Sequence, residues 1–326
     1  MRRWFDHVSD GRSPQVERIA SAWFDQDADV STGRASSNFV CRVGHDGRLF
    51  YLRCNYESER SAKLYGAEMR FVRHLQQQGF PVCAPISSRN GGVVETVSTD
   101  LGRFNAVMLE AAPGSSVGLE DLDESMLRTW GATMARMHRA AEGYDAFDRP
   151  SWQDHIAFAE VMIPVEEHAA HVELAAVGAR LERVSPAEDL GLIHFDLEPD
   201  NMSWLEGKPW IFDFDDCARY PLVADIAFAL RELYDDRIER LDLSDSRWLA
   251  FLSGYRSVRD LPDRSLELLP VLIRAHNLYW FARLHRATAE AAPPDEPEWA
   301  HRLRLRLLDV VDTYRLGFES QSITRL

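Results

Sequence analysis

At 326 residues the chain is longer than one hydrophobic core readily fills, so two lobes or domains are expected. Its 45% hydrophobic and 27% charged residues are those of a globular protein, and its formal charge of −15 at pH 7 excludes general binding to phosphate backbones, leaving no nucleic-acid partner. No apolar run reaches the ~18 residues of a membrane span, and the start, Met1-Arg-Arg-Trp-Phe-Asp-His, turns acidic without a long apolar stretch, so neither a membrane protein nor a secretory leader is read and a cytoplasmic location is expected.

In chain order, Gln15–Phe24 reads as a short opening helix. Phe39, Cys41 and Val43 alternate with their neighbours, the turn Gly44-His45-Asp46-Gly47 follows, and Leu49–Cys54 returns, which predicts a hairpin. From Ser58 to Gln78 the apolar period becomes helical through Leu64, Phe71, Val72 and Leu75, and Gly79 with Pro81 ends it. Gly92–Val97 and Arg103–Glu110 read as strands, and Ala112–Ser116 as a linker. Beyond it helices dominate. Leu127, Trp130, Met134 and Met137 lie at helical spacing, and further helices are predicted over Ile163–Val184, Leu222–Asp235, Asp245–Arg256, Ser265–Glu290 and Glu298–Arg315. Pro270 marks the first turn of the fourth of these. A short β region spans Gly191–Asp216, and the break between a β-rich and a helical part falls near Ala112–Gly114. The four cysteines, Cys41, Cys54, Cys83 and Cys217, have no metal-ligand spacing and read as reduced, partly buried thiols.

The informative stretch is His194-Phe-Asp196-Leu-Glu-Pro-Asp-Asn201, followed by Ile211-Phe-Asp213-Phe-Asp-Asp216. Between them, Met202–Leu205 and Pro209–Phe212 form a hairpin. If it is centred on Gly207, Asn201 faces Asp213 across the ladder, with Cβ atoms ~4.5–5.5 Å apart. An amide oxygen and a carboxylate so placed suit a hard cation such as Mg²⁺. Asp196, five residues before Asn201, can orient an acceptor hydroxyl and receive its proton beside such a centre. The order His-x-Asp-x4-Asn, then a second Asp after a hairpin, is that of kinase catalytic and metal loops. His194 braces the loop, Asp216 and Glu198 read as solvated or helix-capping acids, and Asp215 either reaches a metal or holds a loop. Asp225, in the apolar run Val223–Leu230, is buried and paired and braces the catalytic loop. Glu68 interrupts the apolar stripe of its helix and needs a charged partner, for which Arg53 on the nearby strand is the best candidate.

His194–Asn201, Ile211–Asp216 and Pro221…Asp225-Ile-Ala together resemble the aminoglycoside phosphotransferase and choline kinase-like superfamily, within it the bacterial group that holds homoserine kinase-like and stress-response kinase-like proteins. The resemblance extends over most of the chain. It implies an α+β, bilobal protein-kinase-like fold, with residues 1–111 as the nucleotide-binding lobe and 112–326 as the catalytic and acceptor-binding lobe. It implies ATP and Mg²⁺, Asp196 as catalytic base with His194 beside it, and Asn201 and Asp213 as metal ligands. Arg53 and Glu68 become the pair that positions the nucleotide, with Arg standing where Lys is commoner. Met108, Glu110 and Ala111 become the hinge that meets adenine. Ser31–Asn38 would cover the phosphates, although alone it reads as a polar turn. Phe195 replaces the usual Gly, and the absence of A-P-E weighs against a typical protein kinase. The expected activity is phosphorylation of a hydroxyl on a small amino alcohol, aminosugar or amino acid, and the acidic surface suits a cationic acceptor. A protein Ser/Thr kinase of the stress-response kind and a pseudokinase are the alternatives. His276, Asn277, Tyr279, Trp280 and Arg283 are candidate acceptor-site residues, and Asp235, Asp236, Asp242 and Asp245 could attract an amine but read more simply as a solvated face.

Overall fold

The computed structural model describes residues 13–25, 28–35, 38–184, 189–235, 237–289 and 298–320, without the side chains of 32–35 and 299. Its elements are, in order, α1 (Pro14–Ala20), β1 (Asp29–Ala35), β2 (Phe39–His45), β3 (Arg48–Tyr56), α2 (Ala62–Gln77), β4 (Val94–Thr99), β5 (Gly102–Glu110), α3 (Glu124–Ala140), α4 (Trp152–Met162), α5 (His168–Leu181), β6 (Leu190–Ile193), β7 (Met202–Leu205), β8 (Lys208–Ile211), β9 (Ala218–Pro221), α6 (Val223–Ala229), α7 (Ser246–Arg256), α8 (Asp263–Leu266), α9 (Leu269–Thr288) and α10 (Glu298–Ser320). This is the α+β arrangement expected, with a sheet-rich N-terminal region and a mostly helical C-terminal region. Two compact units divide the chain: 1–118, 139–149 and 199–215 make the first, and 119–138, 150–198 and 216–326 the second.

The first unit is built on an antiparallel sheet in the order β1-β2-β3-β5-β4. Alternation puts Phe39, Cys41 and Val43 on one face, and the register aligns Cys41 with Leu52 and Leu52 with Met108. That face is a core closed by Val16, Ile19 and Trp23 from α1 and the turn after it. The opposite face carries Arg53, which α2 covers with Glu68. Helix α2 starts at Ser61, whose hydroxyl accepts the Leu64 N–H, three residues later than the sequence suggested. It ends as expected at Gly79, where the Phe80 N–H reaches the Leu75 carbonyl and Gly79 N–H the Gln76 carbonyl, a Schellman closure that the left-handed Gly79 permits.

Several expectations change. Ser31–Ala35 belongs to strand β1, so the polar turn of the expected phosphate loop is shorter than 31–38; Ser36 and Ser37 and the side chains before them lie outside the described residues. The segment 112–116 is more than a linker. Ser115 exchanges both backbone hydrogen bonds with Trp204 of β7, at 2.8 and 3.2 Å, and the Ser203 hydroxyl donates to the Pro113 carbonyl. Gly114 lies so close to the Trp204 carbonyl that any Cβ would collide with it.

In the second unit the helix predicted over Ile163–Val184 is shorter, α5 running from His168 to Leu181, because Pro164 lies between it and the end of α4 at Met162. Helix α4 went unread, although Ser151 and Asp154 form a full capping box at its start. Strand β9, also unread, pairs with β6, aligning Ile193 with Ala218. Pro270 does sit in the first turn of α9. Glycines 131 and 254 mark backbone-close crossing of α3 and α7, since a Cβ on either meets main chain of the other helix.

Candidate active site

In the first unit β7 and β8 form a hairpin around Glu206-Gly207, both left-handed at φ +51° and +73°. The two-residue turn sets the register one step away from the expected one. Met202 pairs with Ile211, and the Phe212 N–H donates to the Asn201 carbonyl at 3.1 Å, so Asn201 opposes Phe212 and not Asp213. Asp213 is itself left-handed (φ +63°), which takes it off the extended path just after the ladder. Asn201 is buried, while the Asp213 side chain is 43% exposed.

Arg53 and Glu68 meet as the sequence implied, Nη2 to Oε2 at 2.5 Å, and both are almost wholly buried. Arg53 also reaches Asp213 Oδ1 through Nη1 at 2.9 Å. Burial alone would lower the guanidinium pKa, but Glu68, Asp215 and Asp213 more than offset it and hold the group firmly protonated. Asp215 resolves towards loop-holding. It pairs with Arg60, accepts from Asn38 Nδ2 at 2.8 Å, and its carbonyl takes Arg149 Nη2 at 2.5 Å and Arg60 Nη2 at 2.6 Å. Phe214 between the two acids packs edge-on against Phe71 of α2, ring centroids 5.7 Å apart.

The strand end expected to meet adenine is fastened to its neighbours. Met108 is buried and its carbonyl accepts the Ile86 N–H at 2.9 Å. The Glu110 N–H donates to Ala84 at 2.9 Å, and the Ala111 N–H to Leu49 at 3.3 Å. The Glu110 carboxylate takes Arg48 at 2.7 Å on the surface.

In the second unit the catalytic-loop candidates sit on the turn after β6. Asp225, fully buried in the first turn of α6, accepts the Phe195 N–H on Oδ1 (2.8 Å) and the His194 N–H on Oδ2 (3.0 Å). The bracing role expected for Asp225 is therefore met by geometry. His194 is fully buried and its Nδ1 accepts the Asp196 N–H at 3.3 Å. Phe195, where a Gly was anticipated, takes φ +76°, a conformation costing a non-Gly residue ~1–2 kcal/mol. Its ring offsets that cost, buried among Phe228, His155, Tyr279, His276 and Tyr220 at centroid distances of 5.0–5.6 Å.

Asp196 Oδ1 is held by Arg231 Nη1 at 2.7 Å, and Arg231 Nη2 holds Glu198 at 2.5 Å. Asp216 takes Arg283 Nη1 at 2.7 Å. Glu198 and Asp216 are thus arginine-bound, not the solvated or capping acids expected. Of the acceptor-site candidates on α9, Trp280 Nε1 donates to buried His276 Nε2 at 2.8 Å, Arg283 lies over the Trp280 ring at 4.4 Å, and Tyr279 stacks on His155 at 4.0 Å. Burial first, then Arg231, push the His276 pKa well down. Asp245 caps α7, Asp242 caps the turn at Ser244 and Asp235 pairs with Arg240, which is the solvated-face reading; Asp236 lies outside the described residues.

The sequence model of the phosphotransferase enzyme family matches residues 28–261. The chain belongs to that family. This phosphotransferase is 27% identical over 265 residues to amicoumacin kinase of Bacillus subtilis (strain 168), covering 77% of this chain and 78% of the relative. It is 30% identical over 265 residues to homoserine kinase of Sinorhizobium medicae (strain WSM419), covering 77% and 76%. It shares its fold with the solved amicoumacin kinase hAmiN in complex with AMP-PNP, Ca2+ and Ami (TM-score 0.77, 22% identity, 100% of this chain and 98% of that one). A microcompartment-associated aminopropanol kinase aligns at TM-score 0.67 with 17% identity, over 93% and 94%. The fold is therefore kinase-like and the protein an ATP-dependent phosphotransferase.

Within this phosphotransferase the residue that sequence reasoning missed is Arg231. It directly follows the apolar run Val223–Leu230, and a charge at the end of such a helix was the available signal. Among the described residues no helix is long and apolar enough to cross a membrane.

Proposed function

We propose that this enzyme moves the γ-phosphate of ATP to a hydroxyl of a small amine-bearing molecule, an amino alcohol, aminosugar or amino acid. Asp196 orients the hydroxyl and takes its proton, His194 holds the Asp196 backbone, and Arg231 fixes one carboxylate oxygen so that the other meets the acceptor. The bond from the acceptor oxygen to phosphorus forms as the bond from phosphorus to the β,γ-bridging oxygen breaks, and ADP leaves with that electron pair. The observation that carries this reading is the loop itself: Asp225 fixes two successive amides immediately before Asp196, whose carboxylate Arg231 orients.

Asn201 and Asp213 are the proposed Mg²⁺ ligands. Both offer hard oxygen donors, tied to adjacent hairpin ends. Among the described residues no cluster of three His, Cys, Asp or Glu could hold a metal, and a pair of protein ligands completed by phosphates and water is how Mg²⁺ is commonly bound. The ion would neutralise charge on the transferring phosphoryl group. Arg53, held by Glu68, is the proposed phosphate contact. At the strand end Met108–Ala111 the amides of Glu110 and Ala111 already donate within the protein, so adenine contact there falls to carbonyls. The acceptor class rests on the similarity to amicoumacin, homoserine and aminopropanol kinases, with homoserine and aminopropanol each combining a hydroxyl with an amine, and on the charge of −15.

The test is an ADP-release screen with Mg²⁺-ATP over homoserine, 1-amino-2-propanol, amicoumacin, aminoglycosides and casein. A small amine should be phosphorylated, and Asp196→Ala should lower turnover by ~10²–10⁴-fold while still binding nucleotide. Full turnover by Asp196→Ala, or phosphate appearing on casein alone, contradicts the reading.

A further inference from the structure

Asp225 has a third donor that its loop-bracing role does not require. Oδ2, which takes the His194 amide, also faces Nε2 of His138 at 2.9 Å. His138 is 1% exposed on α3, and its Nδ1 meets the hydroxyl of fully buried Tyr255 on α7 at 2.9 Å. A continuous series of hydrogen bonds thus runs from Tyr255 through His138 and Asp225 to the amides of His194 and Phe195, and ends one residue before Asp196. All these groups lie in the second unit.

Each link constrains the next. To donate to Asp225, His138 must carry its proton on Nε2, and the Tyr255 hydroxyl occupying Nδ1 favours that tautomer. With Nε2–H in place, Oδ2 takes a second donor besides the His194 amide, which restrains rotation of the carboxylate about its side chain. That matters because the Phe195 backbone, at φ +76°, relaxes unless its amide is held. Loss of the His138 donor leaves Asp225 free to rotate away from one or both amides, and Asp196 moves with them. The carboxylate of Asp196 would keep its chemistry; its placement would change. A shift near 1 Å in a catalytic group is enough to cost ~10²-fold in rate.

We propose that His138 and Tyr255 are positioning residues for phosphoryl transfer, acting through Asp225 on the loop that carries Asp196. This rests on the reading of Asp196 as the base. The experiment measures ADP release from Mg²⁺-ATP with water as acceptor, and again with any screened compound that raises it, on the full chain carrying His138→Leu, His138→Gln, Tyr255→Phe, Asp196→Ala or Leu174→Ala. Nucleotide affinity is read with a fluorescent ATP analogue, thermal unfolding gives Tm, and hydrogen exchange reports the His194 and Phe195 amides. Leu174 is buried on α5, which contributes no group to this series of bonds, so Leu174→Ala shows what lost packing alone does.

His138→Leu is expected to lower kcat by ~10–100-fold and Tyr255→Phe by about tenfold, with nucleotide affinity kept and both amides exchanging faster. His138→Gln, which retains a side-chain N–H, should recover most of the rate. Leu174→Ala should lower Tm and leave kcat unchanged. Loss of rate in Asp196→Ala with unchanged kcat in both His138→Leu and Tyr255→Phe overturns this inference alone. So does a rate loss in those two that Leu174→Ala reproduces at equal Tm. Retained rate in Asp196→Ala overturns the reading of the base and this inference together.

Discussion

Each unit contains an arginine held between two carboxylates, and the two differ in how dry they are. The Arg53–Glu68 contact is 3% and 1% exposed, with Asp213 on the other nitrogen of Arg53 at 43%, whereas around Arg231 the side chains of Arg231, Asp196 and Glu198 are 17%, 22% and 14% exposed. A dry pair tolerates no vacancy, because removing one partner strands a charge that water cannot reach. A pair that water partly reaches loses less stability when broken, since water replaces some of the lost partner. The same chemistry therefore serves the fold of the first unit and the orientation of one carboxylate in the second.

The comparison can be broken most sharply at Glu68. Glu68→Ala should destabilise the protein by ~3–5 kcal/mol, towards the lower end because Asp213 still faces Arg53, as read by denaturant unfolding. A loss below ~1 kcal/mol would show that the pair is not as dry as its burial implies. At the other cluster, Arg231→Gln should cost about tenfold in kcat, ~1.4 kcal/mol in the barrier, with unfolding free energy lowered by less than Glu68→Ala lowers it. An effect seen only in stability would reverse the contrast.

Smaller effects refine it. Burial, with Arg231 next, depresses the His276 pKa, so the folded state stays unprotonated where the unfolded chain takes up a proton. Stability is then fully present above ~6.5 and falls as pH drops below it, at up to ~1.4 kcal/mol per pH unit for this group, until the folded His276 itself titrates. Arg231→Gln should shrink that acid loss without abolishing it, which a Tm series from pH 7 to pH 5 would measure. Least of all, Arg48→Ala, breaking a surface pair with Glu110 whose side chains are 64% and 41% exposed, should change stability by under ~0.5 kcal/mol.

Much was legible where local chemistry is decisive. Alternation announced β2 and β3, Gly79 announced the end of α2, and an acid inside an apolar stripe announced the Arg53–Glu68 pair. Asp225 was read as buried and bracing for the same reason, since a carboxylate among Val, Ala, Ile and Phe must find donors. The misreadings share a different cause. A hairpin centred on Gly207, with Glu206-Gly207-Lys208 as its turn, sets Asn201 opposite Asp213; the observed two-residue turn, Glu206-Gly207, both left-handed, pairs Leu205 with Lys208 and moves the register by a step. Glu198 and Asp216 read locally as solvated or helix-capping acids because their arginines, 33 and 67 residues away, leave no local trace.

By itself the sequence determined the change from a β-rich to a helical region, the family and the short list of polar residues able to handle a phosphoryl group, because period, turn chemistry and the need to pair a buried charge act over a few residues. Tertiary structure alone decided the partners: Arg231 for Asp196, Arg283 for Asp216, His138 and Tyr255 behind Asp225, and an aromatic cage that lets Phe195 hold a backbone shape suited to glycine. Those contacts join residues distant in the chain, and such pairings exist only once packing has brought the helices and turns together.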